Sequence, residues 1–116
     1  MACSAAAFLN PQSAAAAAKS EVLRAIDELS SEDPAVQYRA ISRLADWQAA
    51  EAVEPLRDLL ASETGAGIRG RALVALAEIE GPDVLKVCLA YADDPEPQLR
   101  AAAVEALGVL GASQGP

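Results

Sequence analysis

A chain of 116 residues is long enough for one domain with a modest core and too short for two. Its net charge of −8, from 17 acidic against 9 basic side chains, argues against nucleic acid or an anionic membrane as partner. Both are bound by clustered Lys and Arg. Hydrophobic residues make up 53% but aromatics only 3%, the excess being alanine and leucine, and no alternating strand pattern appears. The composition excludes a sheet protein and points to an all-α fold.

The N-terminal stretch MACSAAAFLN has no basic n-region and only a short, alanine-dominated apolar run, so it does not read as a secretory signal. A transit segment for an organelle stays open as an alternative. No run of 18 apolar residues exists to span a membrane. Cys3 and Cys88 are too few for a disulfide framework, which favours a reducing compartment and a cytoplasmic setting.

Residues 1–10 read as a tail, either disordered or a short helix. Asn10 and Pro11 then suit the cap and first turn of a helix over about 11–30, with Val22, Ala25, Ile26 and Leu29 on one face. Asp33-Pro34 opens the next helix, 34–46. Pro55 fits the first turns of a helix over 50–61, and Gly65 precedes one over 66–79. Gly81-Pro82 stops that helix and starts another, 82–92; Asp94-Pro95 leads into the last, 96–110. The helical domain spans 11–111, followed by a tail over 112–116.

Three of these helices are copies of one pattern. VQYRAISRLADW (36–47), IRGRALVALAEI (68–79) and LRAAAVEALGVL (99–110) align with steps of 32 and 31 residues. The aligned columns are Val36, Ile68, Leu99; Ala40, Ala72, Ala103; Ile41, Leu73, Val104; Leu44, Leu76, Leu107; Ala45, Ala77, Gly108; and Trp47, Ile79, Leu110. They trace one apolar stripe of a 3.6-residue helix. The intervening helices have a different texture: Val53, Leu56, Leu59 and Leu60 in one, and Leu85, Cys88, Tyr91 and Ala92 at the same offsets in the next. Helix pairs that bury one face by stacking on their neighbours make a solenoid.

Little in the chain reads as chemistry. It contains no histidine, hence no Ser-His or Cys-His pair, and it lacks CxxC, HExxH and phosphate-loop motifs. GAGIRG (65–70) follows a helix rather than a strand and is read as a turn. Cys88 falls in the column of Leu56, where a small buried hydrophobe is expected rather than a nucleophile. Asp93, Asp94 and Glu96 lack the alternating donors of a calcium loop and suit capping better. Trp47 shares a column with Ile79 and Leu110, which favours core packing with a partly exposed edge. No catalytic, cofactor-binding or metal-binding residue is assigned.

DDPEPQLRAAAVEALGVLG (93–111) resembles the first helix of the HEAT-like repeats typified by the phycobilisome (phycobilin) lyases. The resemblance rests on Asp94-Pro95, Leu99-Arg100, Ala101 to Ala103 and Ala106-Leu107-Gly108-Val109-Leu110-Gly111. Asp33-Pro34 with Val36 and Ile68-Arg69 repeat it less completely: Gln37 replaces the arginine, and Thr64-Gly65 stands where Asp-Pro would be. It covers about residues 20–111. It implies a short right-handed α–α superhelical solenoid of about three HEAT-like repeats, in which Asp33, Asp94, Arg69 and Arg100 form a structural ladder.

The resemblance also implies that the second helices line a concave face which holds another protein. That face would present Glu51, Glu54, Arg57 and Asp58 on one helix, and Lys86, Leu89 and Tyr91 on the next. Leu89 is the most informative, because its column carries Arg57 in the preceding repeat. Helix 96–110 has no second helix after it to cover Leu107, Leu110 and Val104, so a cap is expected there. The candidates are another subunit (a homodimer among them), the alanine-rich segment of a second chain, or further sequence. The function expected is a non-catalytic adaptor or scaffold for protein–protein interaction; the alternative is a relative of the phycobilin lyases and isomerases, acting on bilin chromophores.

Overall fold

The computed structural model describes residues 11–114, with side chains over 19–111. In chain order the elements are α1 (Pro11–Glu28), α2 (Pro34–Asp46), a 3₁₀ turn (Ala50–Ala52) leading into α3 (Val53–Ala61), α4 (Ala66–Glu80), a 3₁₀ turn (Gly81–Val84) leading into α5 (Leu85–Tyr91), and α6 (Pro97–Gln114). Among the described residues there is no strand. The expected tail over 1–10 and the Asn10 cap lie outside the described residues.

The helix starts follow from local chemistry. The Asp33 carboxylate accepts from the Ala35 amide at 3.0 Å while Pro34 takes the first helical position. Ahead of α6, which starts at Pro97, Asp94 closes a turn instead, its carboxylate accepting from the Glu96 amide at 2.9 Å, while the Glu96 carbonyl accepts the first helical N–H groups. The second helices α3 and α5 were expected to be α-helical throughout, yet both enter through a 3₁₀ turn. Neither entry has a capping side chain, and Pro55 and Pro82 withhold an N–H there, so the tighter turn satisfies the amides that remain.

Helix ends are equally legible. Gly81, at φ 67°, closes α4 and sends its N–H to the Ala77 carbonyl. Gln48 does this job after α2 at φ 51°, and the Ala49 amide reaches back to the Leu44 carbonyl at 3.1 Å. α6 runs beyond the expected end at 110, through Gly108 and Gly111 to Gln114.

Two layers result. α2, α4 and α6 form the first; α4 lies between the other two and packs most extensively on α6. α3 packs on α4, α5 on α6 and α1 on α2, which makes α1 a helix of the second layer, with one side of it facing α3 across a shallow groove lined by Ile26, Leu29, Pro55 and Leu59. The core collects Ala40, Ile41, Leu44, Leu56, Leu73, Leu76, Val84, Cys88 and Leu99, all buried completely or nearly so. Glycine permits a close approach of α4 to α6: a Cβ on Gly70 would sit 3.0 Å from the Ala102 Cβ.

The expected Asp–Arg ladder is a different device. Arg69 Nε donates to the Leu60 carbonyl at 2.7 Å, and Arg100 Nη1 donates to the Asp94 and Pro95 carbonyls at 2.9 and 3.1 Å. Gln37, in the same column, sends Nε2 to the Leu29 carbonyl at 3.0 Å. The column therefore serves carbonyls at or just beyond the end of the preceding helix, where backbone acceptors lack intrahelical donors. Asp33 is occupied as the cap of α2, and Asp94 in the turn before α6.

Candidate protein-binding faces

The sequence-derived site residues divide between two surfaces. On α3 and α5 of the second layer, Glu54, Arg57, Lys86 and Leu89 are exposed, as are Glu51 and Asp58. Arg57 is not a free cation: its Nη2 lies 3.0 and 2.9 Å from the two carboxylate oxygens of Glu80, tying α3 to the end of α4. Tyr91 is half-buried, with the Arg69 guanidinium 5.9 Å from its ring centroid. That leaves Leu89, 52% exposed on α5, flanked in its layer by Glu54 and Lys86.

One residue of this layer was missed. Leu23 on α1 is 57% exposed, in register with Glu54 and Lys86. Only its apolar character at a polar column could have signalled it. Leu85, one turn before Leu89, is also exposed.

The second surface is the outer side of α6, where one expectation needs correction. Leu110 is not bare: it is 4% exposed and belongs to the core, because it points back toward α4 and α5, on which α6 packs. Leu107 is half-buried against the same core. Val104 is the uncovered member, at 67%. Trp47, expected to pack in the core with an exposed edge, lies outside the core instead, 36% exposed, because it falls at the cap position where α2 ends.

The remaining candidates fall to structural roles. Cys88 is fully buried, and loss of hydration pushes its thiol pKa above the usual range, which disfavours the reactive thiolate. Among the described residues no group of His, Cys, Asp and Glu is placed to hold a metal ion, and no helix is long and apolar enough to cross a membrane.

The two-layer stack with a period of about 31 residues has a counterpart: the pattern of the HEAT repeats matches residues 22–108. The chain belongs to the HEAT-repeat family. No curated protein and no solved structure matches it significantly. HEAT repeats typically mediate contacts between proteins, and their stacked helices present continuous faces suited to that task.

Proposed function

We propose that this HEAT-repeat chain is a non-catalytic adaptor or scaffold, cytoplasmic in setting, that holds another protein against the outward face of its second helices. Leu89 carries the reading. A large apolar side chain stands half in water at a column where the preceding repeat has Arg57, with Leu23 exposed in the same layer and charged residues around both. Apolar anchors within a polar rim are the usual make-up of a protein-binding patch. The bilin alternative has less support: a tetrapyrrole needs aromatic walls, and of the described aromatics on this face Tyr91 is already engaged by Arg69.

The test is retention of a partner from cell extract by the wild-type chain and by Leu89→Glu and Leu23→Glu, both exposed positions that tolerate charge. Loss of a retained protein by at least about tenfold in the variants supports the reading. Equal retention by all three rules out this face. An absorbance shift on titrating bilin into the wild-type chain would favour the lyase-type reading instead.

A further inference from the structure

The second-layer helices meet at two boundaries, and the two are filled differently. Between α3 and α5 the large side chains are Arg57, Arg69 and Tyr91. Arg69 Nε reaches the Leu60 carbonyl at 2.7 Å, and its guanidinium stands 5.9 Å from the Tyr91 ring centroid. Arg57 spans to Glu80, at the end of α4 just before α5 is entered. Between α1 and α3 the same three columns carry Ile26, Gln37 and Leu59. Gln37 makes the equivalent bond, to the Leu29 carbonyl, but it is shorter and brings no cation. What results is a groove of about 440 Å³ with Ile26, Leu29, Pro55 and Leu59 on its walls.

Asp58 lines the same groove, at the column where α5 has Ala90. It is exposed, and among the described residues it makes no ion pair. The first boundary thus lacks both guanidinium groups of the second and carries a carboxylate in addition.

We infer that this groove receives an arginine side chain of a partner protein, in the place that Arg69 fills one repeat later. The aliphatic stem lies on Ile26, Pro55 and Leu59, and the guanidinium meets the Asp58 carboxylate at the mouth. Arginine suits the place better than lysine, because its flat, weakly hydrated head packs on apolar surface while still pairing with a carboxylate. The chain's own N-terminal segment cannot supply the group, since residues 1–18 contain neither arginine nor lysine. A basic segment is also what a net charge of −8 draws from a distance. The inference rests on the reading of the second layer as the protein-binding face, and it gives the partner a chemistry. Its arginine would have an apolar neighbour to cover Leu23, which lies two turns before the groove residue Ser30 on the same stripe of α1.

Titration of the whole chain with N-acetylarginine amide, followed by NMR shifts of the Ile26 and Leu59 methyl groups, tests the groove directly. The shifts should saturate in the millimolar range, as suits a single side chain. The citrulline analogue, equal in shape but uncharged, should bind at least about tenfold more weakly. Asp58→Lys, at an exposed position, should weaken binding at least about fivefold. Gln37→Arg should fill the groove from within, so its Ile26 and Leu59 methyls should not respond; circular dichroism checks that both variants stay folded. Three results would overturn the inference: no groove shift up to about 100 mM, citrulline binding as well as arginine, or Asp58→Lys and Gln37→Arg chains that respond like wild type. Its failure is separable from that of the adaptor reading. A partner held through Leu89 and retained equally by Gln37→Arg would keep that reading and sink the groove. Arginine binding with no retained partner would support the groove and not the reading.

Discussion

Gln37 gives its side-chain amide to the Leu29 carbonyl at 3.0 Å and is the buried polar residue of the described fold. The bond joins the first turn of α2 to the chain just after α1. Replacing Gln37 with alanine leaves that carbonyl unpaired in a position water reaches poorly, which costs about 1–3 kcal/mol. Thermal or urea unfolding of Gln37→Ala should show this loss. Gln37→Arg should recover much of it, because Arg69 makes the equivalent bond one repeat later.

The contact between Gly70 and Ala102 predicts a graded response to size. Alanine at position 70 gains helix propensity of up to about 1 kcal/mol over glycine, but its methyl would lie 3.0 Å from the Ala102 Cβ. The two effects nearly cancel, so Gly70→Ala should leave the melting midpoint almost unchanged. Gly70→Leu has no such balance; it forces α4 and α6 apart and should cost about 1–3 kcal/mol.

These two sites show what the sequence made legible. Columns repeating every 31 or 32 residues identified the layer-one helices, because a stacked repeat needs the same apolar and small positions in each copy. Periodicity could not say which side of a terminal helix faces its predecessor, since the stripe includes residues from both flanks. That is why Leu110 read as bare although α6 turns it inward, while Val104, on the other flank, is in water. Gln37 looked like a broken motif because the chemistry of its column, donation to a carbonyl, is shared by arginine and glutamine but is invisible in residue type. Leu23 was missed for a related reason: helical spacing finds apolar faces, and a single apolar residue beyond the face carries no period. Leu85, counted on the apolar face by its spacing, is instead exposed.

Gln48 holds a left-handed φ of 51° to finish α2. A residue with a Cβ pays roughly 1–2 kcal/mol there, whereas glycine adopts it freely at a smaller entropic cost. Gln48→Gly should therefore stabilise the fold, by up to about 1 kcal/mol. The Gln48 side chain is exposed and makes no hydrogen bond among the described residues, so no loss opposes the gain. A rise in the urea midpoint with an unchanged slope would verify it.

Cys88 couples the core to pH. Burial raises its folded pKa above the unfolded value, so the folded state holds the thiol proton more tightly. The stabilisation is complete below the unfolded thiol pKa and is lost as pH rises through the folded one. Unfolding free energy should decline on the alkaline side of the ordinary thiol range, and Cys88→Ala should flatten that decline while losing stability at neutral pH through its cavity. At pH 8 a thiol reagent should modify Cys88 only as fast as the core opens, on the order of 100-fold or more slower than in urea. Rapid modification of the folded chain would show that the packing around α5 and α6 is looser than the structure describes.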